Sequence, residues 1–135
     1  MVSGGFDPLH EGHLAYLKAA RQYGHVVVAL NSDDWLLRKK GFVFQPWETR
    51  AEILRELRVV SDVIKVDDKD GTITDALSRV RPEYFANGGD RKEADDNEHY
   101  WCDYLGIKEL FGVGGEKINS SSKILETYDN HTKSL

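Results

Sequence analysis

Short β-branched runs alternate along the chain with segments whose apolar residues recur at the helical period, and this alternation limits the fold more than any other feature. It is the pattern of βαβ units, in which a helix crosses back over a parallel sheet after each strand. Strands are expected at residues 1–4, 25–31, 62–66, 83–86 and 108–113, giving an α/β fold: a Rossmann-like, doubly wound five-stranded parallel sheet with helices on both faces. The first strand, about four residues long, is shorter than usual.

Between the strands, Leu14, Leu17 and Arg21 mark a helix closed by Gly24. Ile53, Leu54, Leu57 and Val60 form the stripe of another, with Pro46 in its first turn. Thr72 and Asp75 resemble a capping box opening a third, whose Ile73, Ala76, Leu77 and Val80 repeat until Pro82 ends it. Further helices are expected over residues 94–104 and from near Ser120, where Ile124, Leu125 and Tyr128 follow.

A length of 135 residues with 40% hydrophobic composition supplies one core, so a single domain over 1–135 is expected. Eighteen basic against 23 acidic side chains leave a net charge of −5, which argues against capture of a nucleic-acid backbone. The longest strongly apolar run, Val26–Leu30, is far too short for a bilayer, and Met1-Val2-Ser3-Gly4-Gly5 has no secretory character. A soluble cytoplasmic protein without membrane partners is the expectation. Cys102 stands alone, so no disulfide can form within the chain.

The first strand runs into Gly4-Gly5-Phe6-Asp7-Pro8-Leu9-His10-Glu11-Gly12-His13, with a helix starting near Gly12. Glycines admit close approach to the backbone, and a helix N-terminus offers N–H groups to an anion, so phosphate is the expected guest. His10 and His13, three residues apart, can address one small volume; the plainer alternative makes His10 a helix cap and leaves His13 exposed. A metalloprotease reading fails because its pattern places two residues between the glutamate and the second histidine. His99 and Cys102 are a lone pair without further ligands.

Ser120-Ser121-Ser122-Lys123 opens the last helix after Gly112-Val113-Gly114-Gly115, where hydroxyls and N–H groups can hold a polyphosphate or simply cap the helix. Arg38-Lys39-Lys40-Gly41 could place a mobile lysine over a cleft. Asn87-Gly88-Gly89-Asp90-Arg91 follows the fourth strand and reaches the same sheet edge.

In this order the elements resemble the cytidylyltransferase-like nucleotidyltransferase family, whose mark is a Gly-x-Phe-Asp-x-x-His-x-Gly-His loop followed later by a serine-rich helix start. The resemblance runs from Gly5 to about Tyr128. Asn31-Ser32-Asp33, Lys40-Gly41, Glu48-Thr49-Arg50 and Asn87-Gly88-Gly89-Asp90 look most like the adenylyltransferase part of ADP-heptose synthases; glycerol-3-phosphate cytidylyltransferase is similar too. Cytidylyltransferases typically carry Arg-Thr-x-Gly-Ile-Ser-Thr where this chain reads Gly115-Glu116-Lys117-Ile118-Asn119-Ser120-Ser121, which leaves ATP and CTP both open.

The resemblance implies transfer of a nucleoside monophosphate from an NTP to a phosphorylated sugar or polyol, with release of pyrophosphate. His10, His13 and Lys40 would be catalytic, stabilising charge on the transferring phosphates. Gly5, Phe6, Asp7, Gly12, Gly88, Asp90, Ser120, Ser121 and Ser122 would bind nucleotide, with Asp7 and Asp90 helping to place substrate or Mg²⁺, the expected cofactor. Arg50 would grip the acceptor phosphate. Relatives commonly pair, and Trp35, Trp47 or Trp101 could anchor a homodimer. The competing readings are a catalytically inactive nucleotide-binding module of the same fold and a metal-assisted hydrolase.

Overall fold

A computed structural model describes residues 1–89, 91, 95–115 and 121–134, excepting the side chains of Ser122 and Ser134. The elements follow in the order β1 (Val2–Gly4), α1 (Glu11–Arg21), β2 (Val26–Leu30), α2 (Asp33–Lys40), α3 (Trp47–Arg55), β3 (Val60–Lys65), α4 (Thr74–Val80), β4 (Tyr84–Gly88), α5 (Asp96–Leu105), β5 (Lys108–Val113) and α6 (Ser121–Ser134). All strand pairings among them are parallel.

The strands form a three-stranded sheet, β1-β2-β3, and a two-stranded sheet, β4-β5, rather than one continuous five-stranded sheet. The two meet at the first residue. Met1 O accepts from Ala86 N at 2.9 Å and the Met1 amine donates to Tyr84 O at 2.7 Å. Those are the two bonds of a parallel bridge between Met1 and Phe85, and no further ladder bond extends the junction among the described residues. The next bond of such a ladder would run from Ser3 N to Ala86 O, but that carbonyl accepts instead from the Tyr16 hydroxyl of α1.

Side chains on a strand alternate between faces, and here the alternation sorts them into two cores. Val2, Val28, Leu30 and Ala86 pack with Leu17 and Ala20 of α1 and Ala51 and Leu54 of α3. Met1, Ala29 and Phe85 pack on the other side with Ala76 and Leu77 of α4 and Cys102 of α5. Helices therefore cover both faces, as expected. Parallel strands buried on both sides must be apolar throughout, which is why β2 reads Val-Val-Val-Ala-Leu.

Two local expectations are revised. Thr72 and Asp75 form no capping box: the Thr72 hydroxyl donates to Asp70 Oδ1, while Asp75 Oδ2 accepts from Asp67 N and pairs with Arg79. Helix α4 accordingly starts at Thr74 with Ile73 at its cap position. The stripe expected through Leu57 and Val60 ends early, α3 stopping at Arg55 and Val60 opening β3. Arg38-Lys39-Lys40 forms the last turn of α2, where cations complement the helix dipole and Gly41, at φ 84°, closes the helix.

Candidate active site

A cavity of about 430 Å³ opens at the carboxyl ends of β1 and β4, the position where open α/β sheets hold ligands. Its walls come from the loop after β1, the start of α1, α2, the loop after β4, α5, the segment after β5 and the first residue of α6.

The loop after β1 is held in an unusual path. Phe6 adopts φ 50°, a left-handed conformation costly for a non-glycine residue, and the Asp7–Pro8 peptide is cis. Phe6 is buried, with its ring centroid 4.7 Å from that of His13. Gly5 lets Leu36 pack close, since a Cβ there would lie 2.8 Å from Leu36 Cδ2 and push that methyl aside. These contacts deliver the chain to His10, which begins α1.

The two histidines cap α1 reciprocally. His10 Nδ1 accepts from Gly12 N at 3.1 Å, and His13 Nδ1 accepts the His10 amide at 3.2 Å. The pattern is a capping box in which imidazoles replace the usual hydroxyl and carboxylate. The rings stack with centroids 3.8 Å apart. Because each Nδ1 accepts a backbone N–H, the neutral form of each ring carries its proton on Nε2, a donor. The capping alternative is thus correct for His10, but His13 is half-buried and lines the same cavity. One arrangement serves both purposes.

Lys40 and Lys39 reach the cavity from α2, together with Trp35, whose ring lies 4.9 Å from Lys39 Nζ. Helix α2 is anchored by Asp68, a buried carboxylate that accepts from Asn31 Nδ2 at 3.0 Å, Ser32 N at 2.8 Å and Ser32 Oγ at 2.6 Å. Ser32 in turn accepts from Trp35 N and caps the helix. Gly5, Phe6, Gly12 and Gly88 also line the cavity.

The distant end of the chain arrives through Ser121, whose Oγ donates to Pro8 O at 2.9 Å across 113 positions of sequence. This bond seats the start of α6 on the loop after β1. It also directs the hydroxyl hydrogen toward Pro8, leaving the Ser121 oxygen as an acceptor. Opposite, Gly114 at φ 89° passes so close to α1 that a Cβ would stand 2.9 Å from Tyr16 Cα. The expected contributions of Asp90, Ser120 and the Ser122 side chain lie outside the described residues.

Two expected ligands prove to be scaffold. Arg50 is fully buried, donating through Nε to Gln45 O, through Nη1 to Gly5 O and Asn31 O, and through Nη2 to Asp33 Oδ1. It ties α3 to the ends of β1 and β2 and does not border the cavity, so it is withdrawn as a grip for an acceptor phosphate. Asp7 is buried as well, its carboxylate accepting from Phe44 N and Gln45 N at 2.7 Å each, and it pins the α2–α3 loop. It is withdrawn as a binder of nucleotide or metal. Among the described residues no three His, Cys, Asp or Glu side chains are grouped to hold a metal ion.

Sequence reasoning passed over Glu98. It lines the cavity, 6% exposed, with Oε1 2.7 Å from Arg91 Nη1 and Oε2 accepting from Ile73 N at 3.3 Å. Burial pushes its carboxyl above the usual range, opposed by the Arg91 guanidinium. One signal was available: Glu98 lies four residues before Cys102, on one face of α5, and Cys102 belongs to the core.

Fold and cavity together define a parallel α/β protein with a cavity at the carboxyl end of its strands, lined by imidazole and ammonium groups and the N-terminus of α1. The chain belongs to the cytidylyltransferase-like family, whose profile matches residues 1–128. It is 35% identical over 119 residues to the bifunctional protein HldE of Proteus mirabilis, a match covering 86% of this chain and 23% of that protein. It is 37% identical over 94 residues to the FAD synthase of Pyrococcus horikoshii, covering 67% of this chain and 62% of the relative. The chain therefore spans less than two thirds of the length of either. A crystal structure of a lipopolysaccharide core biosynthesis protein from Thermoplasma volcanium superposes with TM-score 0.69 at 27% identity, over 83% of this chain and 91% of that one.

Proposed function

We propose that this chain is a nucleotidyltransferase that moves a nucleoside monophosphate from ATP or CTP to a phosphorylated sugar or polyol. An oxygen of the acceptor phosphate attacks the α-phosphorus, the bond from that phosphorus to the β-bridging oxygen breaks, and pyrophosphate leaves. The acceptor phosphate is already ionised at neutral pH, so no general base is needed.

The observation carrying this reading is the reciprocal cap of His10 and His13, which makes two Nε2 donors from residues that also start a helix. Donors fixed before the reaction need no reorganisation when charge develops on the α-phosphoryl oxygens, and such preorganisation is the chief source of rate in this kind of catalysis. Lys40, from α2, and the dipole of α1, on whose first turn the histidines stand, add positive potential. In this reading Gly5, Phe6, Gly12 and Gly88 shape the nucleotide cradle, with Ser121 at its edge. Ser121 then contributes its backbone N–H rather than its hydroxyl hydrogen. FAD synthase among the relatives favours an adenylyl donor, FAD being an adenylyl group joined to a flavin phosphate through a phosphoanhydride bond. Mg²⁺ would enter as the counter-ion of the triphosphate; the described residues supply no carboxylate set for it, and no step here depends on it.

Pyrophosphate release from each of four NTPs against a panel of phosphorylated sugars and polyols tests the proposal. Release with one pair, dependent on His13, supports it. Nucleotide binding without release from any pair, alongside capture of labelled acceptor, would instead make the chain an inactive binding module.

A further inference from the structure

Among the described residues lining the cavity, Glu98 is the one carboxylate, against three side-chain cations, Lys39, Lys40 and Arg91. An acid in the wall of an anion site repels the phosphates, so its presence calls for a reason. Its surroundings supply one. Arg91 balances its charge at 2.7 Å, so this stretch of wall is neutral overall and suits a neutral polar group rather than an ion.

Resting on the nucleotidyltransferase reading, we propose that Glu98 and Arg91 form a subsite that recognises a vicinal diol of the bound substrate. A carboxylate only accepts hydrogen bonds and a guanidinium only donates them, whereas a hydroxyl does both. Two adjacent hydroxyls can therefore bridge the pair, one donating to Glu98 and the other accepting from Arg91. The two Glu98 oxygens carry about four lone-pair positions, and the bonds to Arg91 and Ile73 use two of them. The remaining capacity belongs to a group that borders the cavity.

The pair is also held still. Asp95 caps α5 by accepting from Asn97 N and Glu98 N, fixing the backbone that carries Glu98. Arg91 Nη1 donates as well to Asn87 Oδ1, and Asn87 Nδ2 donates to Leu110 O, which ties the guanidinium to β4 and β5. Fixed donors and acceptors discriminate against a ligand lacking their partner, because the site's buried polar group is then left unmatched. Burial that raises the Glu98 pKa adds to that cost.

A vicinal diol can come from the ribose of the nucleotide or from the acceptor, and the test has an arm for each. Wild type, Glu98→Gln and Arg91→Lys are assayed for kcat/KM by pyrophosphate release, first with 2′-deoxy and 3′-deoxy forms of the donor nucleotide, then with deoxy forms of the acceptor. In wild type, loss of the recognised hydroxyl is expected to lower kcat/KM about 10- to 100-fold, the range for a hydrogen bond to a charged group. In Glu98→Gln the same loss should cost severalfold less than in wild type, because the charged acceptor has become a neutral amide, whose hydrogen bond is worth about half as much. The arm in which the coupling occurs identifies the diol.

A Glu98→Gln enzyme as sensitive as wild type to every deoxy substrate would overturn the proposal, as would a variant with a lower melting temperature and unaltered selectivity. Should Glu98→Gln fail to fold, Arg91→Lys carries the same cycle from a side chain 43% exposed. If wild type releases no pyrophosphate from any pair, the nucleotidyltransferase reading fails. The diol subsite is then judged by calorimetric binding of ATP, CTP, their deoxy forms and a free polyol phosphate to wild type and variant. Equal affinities throughout would end it.

Discussion

Arg50 Nη2 lies 2.6 Å from Asp33 Oδ1, joining a guanidinium that is wholly buried to a carboxylate that is 40% exposed. The same guanidinium serves three backbone carbonyls, of Gly5, Asn31 and Gln45. Arg50→Met should destabilise the fold by several kcal/mol, because it leaves these carbonyls without their donor at about 1–3 kcal/mol for each one that stays buried, while Asp33 can turn to water. Arg50→Lys should recover little, since one ammonium cannot span three directions. Thermal melting measures both; a variant that kept its melting temperature and lost only acceptor affinity would return Arg50 to the substrate.

The double use of the imidazoles permits a separation of stability from chemistry. Asparagine caps helices well, so His10→Asn should stay within about 1 kcal/mol of wild-type stability while losing the Nε2 donor. A donor aimed at the transition state is worth about 100- to 1,000-fold in rate, or about 2.7–4 kcal/mol. His13→Ala should lose as much rate and also about 1 kcal/mol of stability with its share of the cap. Turnover like wild type by purified His13→Ala would contradict the assignment.

Two glycines in left-handed conformations should respond differently to alanine. At Gly41, φ 84°, nothing lies within 4 Å of an added Cβ, so only backbone strain of about 1 kcal/mol is expected. At Gly114 the same strain is joined by a clash with the Tyr16 backbone at 2.9 Å. Urea denaturation should show Gly114→Ala to be the more damaging by about 1–3 kcal/mol; equal midpoints would mean that α1 yields freely to the segment after β5.

Burial, together with nearby Glu109 and Glu98, pushes the Cys102 thiol up to about 12. The thiolate is the reactive form, so Cys102 in the folded protein should resist iodoacetamide at pH 8 and react once unfolded. Native-state labelling at the unfolded rate would place the thiol outside the core.

Two carboxylates should tilt stability against pH in opposite directions. The hydrogen bond from Arg79 holds the Asp75 carboxyl below its ordinary 3.8, so its contribution is present above that value and disappears as pH falls through the folded-state value. Burial holds Glu98 above its ordinary 4.5, so the folded state keeps the proton longer and is favoured at low pH. That contribution fades as pH rises from 4.5 through the folded-state value. Chemical denaturation of Glu98→Gln and Asp75→Asn across this range should remove the two slopes separately. Parallel profiles for wild type and both variants would refute the pair.

The helices, strands and glycine loop were legible because they follow from local chemistry: the two side-chain periods, proline and glycine sterics, and the orphan N–H groups of a helix start. His10 and His13 could be paired from their spacing alone. The single sheet was not, because whether β4 continues the ladder of β1 depends on a contact 70 positions apart, the Tyr16 hydroxyl taking the Ala86 carbonyl.

Charge beside a motif reads the same whether it faces ligand or core. Arg50 and Asp7 adjoin family signatures, yet each is consumed by backbone groups of segments about 40 residues away, while Glu98, in a helix of polar appearance, stands in the cavity wall. The order of residues determined the α/β alternation and the imidazole cap, since both depend on neighbours within a turn or a strand. Tertiary packing alone decided which charged side chains reach the cavity, since a buried charge settles where distant backbone can satisfy it.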